Sequence, residues 1–374
     1  MARILVVAGL PSSLINFRGP LIEALVSRGH EVHAAGPPAD EATLAWLAAR
    51  GVDYHPAALE NTGFSVMGDI RTILALRRIM LAVRPDLMFA YTIKPVIYGT
   101  LAAASAGVKR RFALISGLGY AFTDGDRSLK RGIAHAIAAV LYALTLRLVT
   151  GVFFQNPDDA ALFQEKKLVP ARLTPVVVNG SGIDIDQFRV SPIPKNAHFL
   201  MISRLVADKG VREFVDAARL VKNAHPEATF DLVGPRDANP AAISPTLIPD
   251  AVRDGVIAYH GEARNVRPFI DAASIYVLPS YREGTPRTVL EAMATGRAII
   301  TTDAPGCRET VIDGYNGFIV PVRDVPALAR VMTRFIENPT IQEEMGGFSR
   351  KLCEEKYDVR KVTAVMLDQM EDGL

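Results

Sequence analysis

Residues 275–291 read Ile275-Tyr-Val-Leu-Pro-Ser-Tyr-Arg-Glu-Gly-Thr-Pro-Arg-Thr-Val-Leu-Glu291. The apolar run Ile275–Leu278 has the length and character of a buried strand, and Gly284 and Pro286 mark a tight turn that opens a helix. Pro286 suits a first helical turn, where its missing N–H costs nothing. The unpaired backbone N–H groups of a helix start form an anion site, and phosphate is the usual guest. Glu283 stands at the mouth of this turn and Glu291 about two helical turns further on. At 1.5 Å rise per residue the two are about 12 Å apart along the axis. One carboxylate can then address each end of a sugar nucleotide whose diphosphate rests at the helix start. Two glutamates at this spacing also fit a solvated helix, so the turn chemistry carries the reading.

Working outward, short apolar runs alternate with helical patterns along the whole chain. In the first half the strand candidates are 3–8, 31–35, 87–90, 112–115, 152–154 and 176–178. In the second half they are 198–202, 229–233, 256–260, 275–278, 298–302 and 317–320. Helical segments such as 20–28, 211–223 and 326–337 fall between them. This alternation predicts an α/β protein with parallel sheets covered on both faces. The organisation repeats once, with the join at 181–196, a stretch rich in Asp, Pro and Ile. We therefore expect two doubly wound, Rossmann-like domains facing a central cleft, spanning 1–180 and 190–350. Residues 351–374 form a C-terminal helix that packs back on the first domain. In such sheets, ligands bind at the carboxyl ends of the strands.

The 374-residue length suits two domains, and the net charge is only +2. Residues 1–180 carry +6 and the remainder −4, so the basic first half suits an anionic lipid surface or a phosphate-bearing acceptor. Nucleic acid is not an expected partner, because the basic residues do not interleave with aromatics. No uncharged apolar run is long enough to span a bilayer, and the N-terminus reads as a first strand and not as a signal peptide. Two cysteines, Cys307 and Cys353, are too few for a disulfide scaffold or a cysteine metal cage. The expected location is the cytoplasm.

Six stretches, one of them within the turn already quoted, carry a resemblance when taken in order. They are Ile202-Ser-Arg-Leu-Val-Ala-Asp-Lys-Gly210, Leu232-Val-Gly-Pro-Arg-Asp237, His260-Gly-Glu-Ala-Arg-Asn-Val266, Leu278-Pro-Ser-Tyr-Arg-Glu-Gly-Thr-Pro286, Leu290-Glu-Ala-Met-Ala-Thr-Gly-Arg-Ala298 and Thr301-Thr-Asp-Ala-Pro-Gly-Cys-Arg-Glu309. Together they resemble the retaining glycosyltransferases of family 4, which have the GT-B architecture. Gly234-Pro-Arg-Asp-Ala-Asn-Pro240 and Gly117-Leu-Gly-Tyr-Ala-Phe122 look like bacterial N-acetylhexosaminyl transferases acting on undecaprenyl-diphosphate-linked glycans.

The resemblance implies a nucleotide-sugar donor, UDP-linked, held by the second domain, and a lipid-linked saccharide acceptor held by the first. It implies no cofactor and no metal. Arg204 and Lys209 would neutralise the departing diphosphate, where negative charge grows during transfer. Glu283 would contact the sugar hydroxyls, Gly284, Thr285 and Pro286 would line sugar and phosphates, and Glu291 would take the ribose. Gly234 belongs to the same donor set, and Arg264 and Val266 lie in the loop that meets the base. Transfer would proceed with no protein nucleophile, the leaving diphosphate serving as base.

Two stretches depart from the family pattern. The loop Gly9-Leu-Pro-Ser-Ser-Leu-Ile-Asn-Phe-Arg18 carries Pro11 and bulky residues where family members often have glycines. Its Ser12, Ser13, Asn16 and Arg18 are candidates to meet acceptor or phosphate. After the fourth strand, Ala90-Tyr-Thr-Ile-Lys-Pro-Val-Ile-Tyr98 lacks the histidine that many members place near the sugar. Lys94 is the polar substitute, for catalysis or for the acceptor, and Thr92 is the other candidate. Tyr120, in a glycine-containing loop, is a further acceptor candidate. The apolar segment 128–149 has the length of a core or interfacial helix, which suits peripheral contact with the inner face of the cytoplasmic membrane. Two alternatives share this architecture: a GDP-mannose-dependent mannosyltransferase and a UDP-sugar epimerase. A non-catalytic nucleotide-binding scaffold is a third reading, against which the intact Arg204, Lys209, Glu283 and Glu291 stand.

Overall fold

The computed structural model describes residues 1–59, 66–117, 129–236 and 243–372. Tyr120 and the stretch 237–242 lie outside them. The chain forms two compact units, the first made of Met1–Ser181 with Arg360–Leu374 and the second of Gly182–Val359.

In the first unit seven parallel strands, β1 (Arg3–Val7), β2 (Glu31–Gly36), β3 (Asp53–Pro56), β4 (Leu87–Tyr91), β5 (Arg110–Ile115), β6 (Gly151–Phe154) and β7 (Val176–Val177), lie in the order β3-β2-β1-β4-β5-β6-β7. Alternate residues of β1 face opposite cores: Leu5 and Val7 join one apolar cluster, Ile4 and Val6 the other. A parallel sheet covered on both sides requires such strands to be apolar throughout. β3 has no such run. Its residues Asp53-Tyr-His-Pro56 are exposed or half-buried on the sheet edge, and for that reason the sequence pattern passes over it.

The second unit holds β8 (His198–Ile202), β9 (Thr229–Val233), β10 (Ala258–Tyr259), β11 (Ile275–Leu278), β12 (Ala298–Thr302) and β13 (Gly317–Val320) in the order β10-β9-β8-β11-β12-β13. Both sheets follow the doubly wound plan expected. In each, the strand order reverses beside the first strand, between β1 and β4 and between β8 and β11. The loops leaving those four strands define the topological switch points, where ligands bind in such sheets.

The chain boundaries differ in two places from those expected. Residues 182–196 do not form a loose join. The backbone carbonyls of Ser191 and Pro192 accept from the guanidinium of Arg297, at 2.8 and 3.0 Å. Those of Ile185 and Phe188 accept from Arg350, at 3.2 and 2.8 Å. This strap belongs to the second unit. At the other end, residues 351–359 also stay with the second unit, and only Arg360 onward returns to the first. There the helix Val359–Glu371 inserts Val362, Met366, Leu367 and Met370 into one of the two cores.

Arg297 is fully buried, and its donors also reach the carbonyls of Ile270 (3.0 Å), Asp271 (2.9 Å), Ala273 (2.9 Å) and Thr295 (2.6 Å). A guanidinium has five N–H donors in a fixed fork, and here every nitrogen is used. Arg297→Met is expected to lower stability by at least ~3 kcal/mol, because it strips charge-assisted bonds from carbonyls that stay buried. Urea unfolding monitored by circular dichroism measures this; a loss below about 1 kcal/mol would contradict it.

Candidate active site

In the second unit, the loops after β8 and β11 are built against each other. After β8 the chain makes a short 3-10 turn, Ala207–Lys209, ending at Gly210 with φ 74°. A side chain at Gly210 would meet the Pro279 carbonyl oxygen at 2.0 Å, so glycine alone permits this approach. The Asp208 carbonyl accepts from the Tyr281 N–H (2.8 Å) and the Ser280 hydroxyl (3.0 Å), tying the two loops together. Tyr276 and Thr288 add hydroxyl bonds to the Ile202 carbonyl, at 3.0 and 3.4 Å.

This scaffold brings Lys209 and Glu283 into contact, Nζ donating to Oε1 at 2.6 Å, with side chains only 17 % and 13 % exposed. Burial disfavours the Lys209 ammonium. The charge and hydrogen bond of Glu283, helped by Asp208, outweigh it, and the pKa rises above the ordinary lysine value. An ammonium has three donors, so its bond to Glu283 leaves capacity for a phosphate. Glu283 is fixed from behind as well. Its N–H donates to the Pro305 carbonyl at 2.9 Å, and a side chain at Gly306 would collide with its carbonyl oxygen at 2.2 Å. Cys307, fully buried next to this loop, has its thiol pushed up to about 12 by burial and by the Glu283 charge.

Glu291 lies on the helix Arg287–Ala294 and is buried, paired with Arg287 at 3.0 Å. Burial raises its pKa, partly offset by that arginine. The solvated-helix reading of Glu291 is thereby set aside. Pro286 is the residue before the helix, with extended backbone (φ −73°, ψ 111°), and not a member of its first turn. Arg204 is exposed on the loop after β8. Gly234 spends both backbone groups inside the protein: its N–H donates to the Gly261 carbonyl at 2.7 Å and its own carbonyl accepts from the Tyr259 hydroxyl at 2.9 Å. A side chain at Gly234 would meet the Ser203 carbonyl oxygen at 1.8 Å. Arg264 is exposed, while Val266 is half-buried and caps the helix Arg267–Ala272.

The sequence reading missed the props of this loop. The Tyr281 hydroxyl donates to Glu213 at 2.6 Å, and Arg323 lies 4.5 Å from the Tyr281 ring centre. Arg323 has φ 66°, an uncommon conformation for a residue with a side chain, and stands just beyond β13. The signal available in sequence was Tyr281 itself, an aromatic inside a turn.

In the first unit, the loops after β1 and β4 hold the other candidates. Ser13 is buried; its hydroxyl bonds the Leu10 carbonyl and lies 2.7 Å from the Tyr91 hydroxyl. Arg18 is also buried, with its guanidinium 5.0 Å from the Tyr91 ring centre. Asn16 is exposed. Lys94 is not a solvated lysine: its side chain is 11 % exposed and its Nζ stands 3.6 Å from Asp69 Oδ1.

Both units match family models. Residues 18–180 match a glycosyl transferase 4-like domain, and residues 196–338 match the glycosyl transferases group 1. The chain belongs to these family 4 glycosyltransferases of GT-B architecture. It is 28 % identical over 347 residues, 88 % of each chain, to the N,N'-diacetylbacillosaminyl-diphospho-undecaprenol alpha-1,3-N-acetylgalactosaminyltransferase of Campylobacter jejuni. It is 22 % identical over 291 residues to the UDP-Gal:alpha-D-GlcNAc-diphosphoundecaprenol alpha-1,3-galactosyltransferase of Escherichia coli, covering 74 % of this chain and 73 % of that one. In fold it is similar to Anabaena HepE in complex with UDP and glucose (TM-score 0.77, 18 % identity, both chains covered in full). It is also similar to sucrose-phosphate synthase from Thermosynechococcus elongatus (TM-score 0.80, 16 % identity, covering 100 % and 99 % of the two chains). The protein is a glycosyltransferase related to enzymes that build undecaprenyl-diphosphate-linked glycans.

Proposed function

We propose that the protein transfers an N-acetylhexosamine from a UDP-sugar, with retention of configuration and without a metal ion, onto a polyprenyl-diphosphate-linked saccharide. The observation that carries the donor half is the Lys209–Glu283 pair at a strand switch point, 2.6 Å apart and largely buried. Arg204 and Lys209 take up the charge that develops on the diphosphate, and Glu283 holds sugar hydroxyls. Glu291, kept in place by Arg287, takes the ribose. The bond from the anomeric carbon to the diphosphate breaks as the bond to the acceptor oxygen forms on the same face. The acceptor's proton passes to the departing phosphate oxygen. The lipid-linked acceptor follows the activities named for both bacterial relatives, and the N-acetylhexosamine follows the Campylobacter jejuni one, the Escherichia coli relative being named for transfer of galactose.

A lipid-linked acceptor places the enzyme at a membrane surface, at the cytoplasmic face in this reading. Among the described residues no helix is long and apolar enough to cross a bilayer. The helix Leu129–Thr145 is core on one side, where Ala138 and Tyr142 are buried. On the other it exposes Ile137, Val140 and Leu144. The helix Val66–Val83 likewise exposes Met67, Ile70 and Leu74. Apolar stripes on a basic half of the chain support interfacial contact.

Thermal unfolding with UDP, GDP, ADP and their common sugar conjugates tests the donor. Ligand at 100 times its Kd stabilises the folded state by about 2.7 kcal/mol. UDP and UDP-N-acetylhexosamines are expected to raise the melting temperature. A rise with GDP-mannose alone would replace this reading with mannosyl transfer.

A further inference from the structure

The carboxyl end of β4 carries three unusual features within eight residues. Thr92, immediately after the strand, has φ 67°, a conformation that a β-branched side chain strongly disfavours. Such strain persists only where the surroundings enforce it, and it gathers at functional sites. The chain then winds through a π-helical turn, Pro95–Gly99, whose residues are all buried. Turns of this kind are rare and recur at functional sites. Between the two stands Lys94, facing Asp69 from the helix Val66–Val83.

Lys94 Nζ and Asp69 Oδ1 are 3.6 Å apart. Hydrogen bonds of this type form at 2.7–3.2 Å, so the two charges attract without using their donors and acceptors on each other. Hydroxyls lying beside the pair can reach both groups. Tyr98, buried on the π turn, has its ionisation pushed up by burial and by the neighbouring Asp69 carboxylate. The phenol therefore stays protonated beside Asp69. One cation and one anion sum to zero, a poor cradle for a diphosphate. For a polyol they are complementary: one hydroxyl donates to the carboxylate while its neighbour accepts from the ammonium.

We infer that Asp69 and Lys94 form a subsite for vicinal hydroxyls of the acceptor saccharide. This rests on the proposed lipid-linked saccharide acceptor and assigns Lys94 to the sugar rather than to the diphosphate.

Calorimetric titration of the full chain with geranyl-diphosphate-linked N-acetylglucosamine, and separately with geranyl diphosphate, tests it. Asp69→Asn is expected to weaken the saccharide-bearing probe about 10- to 100-fold, the range for a lost charge-assisted bond, and to leave geranyl diphosphate unchanged. Lys94→Gln is expected to show the same selectivity, and equal melting temperatures check that both variants fold. Equal weakening of the two probes would make the cluster a diphosphate site and overturn the inference, as would no weakening of either. Failure of the underlying acceptor reading is distinguishable: the wild type would then bind neither probe, which removes both.

Discussion

Replacing Lys209 by alanine is expected to lower kcat/KM for sugar transfer by about 10²–10³-fold, the usual cost of removing one preorganised donor from developing negative charge. Lys209 is held for this task from several sides. Gly210 permits the close approach to Pro279, Asp208 anchors the loop after β11, and Glu283 grips the ammonium at 2.6 Å. The substitution also removes the Lys209 ammonium from its 2.6 Å bond to the Glu283 carboxylate, which is 13 % exposed. Breaking a buried pair in this way costs roughly 3–5 kcal/mol, and partial exposure places the expected loss toward the lower figure. Transfer kinetics and urea unfolding of the same variant measure the two effects. Wild-type turnover in Lys209→Ala would remove the cation from the mechanism.

The second large effect belongs to Glu283→Gln, which keeps the size of the side chain and deletes its charge. Transfer is expected to fall by at least about 10²-fold, since the amide neither accepts from sugar hydroxyls as strongly nor holds the lysine. The variant should also invert a pH dependence. In the wild type the Lys209 pKa is raised above 10.5, so its contribution to stability is complete below that value. That contribution is lost as pH rises through the folded-state pKa. Without Glu283 the two largest raising influences are gone, only Asp208 and Cys307 still oppose burial, and the pKa is expected to fall below 10.5. The folded state then binds fewer protons than the unfolded one, and stability from this group rises with pH up to about 10.5. Denaturant midpoints for both proteins between pH 8 and 11 would show opposite slopes; parallel slopes would mean that Glu283 does not control the lysine.

Much of this was legible from local pattern. Strands buried on both faces announce themselves as apolar runs, and β8, β11 and β12 are such runs. Glu283, Lys209 and Arg204 sit in turns whose glycines and prolines could be read in order. What escaped was set by packing between distant segments. Asp69 lies twenty-five residues before Lys94 on an amphipathic helix, where a single aspartate looks like any solvated charge. Arg297 reads as an exposed basic residue after a glycine, although it is the hub of the second unit's buried polar network. β3 is an edge strand and has no apolar face to betray it. The return of the chain at Arg360 is invisible for the same reason: Val362, Met366 and Met370 have helical spacing whichever core they fill.

That return bears on the order of events during synthesis. Domains generally fold as units, the N-terminal one first, as the chain emerges. Here one strip of the first unit's core, Val362 to Met370, is translated only after the whole of Gly182–Val359. The second unit is one uninterrupted stretch and has all its residues in hand earlier. On the ribosome, then, the half of the chain made first is the half completed last, and until Met370 appears the core that holds Ile4, Val6 and Phe89 lacks this strip.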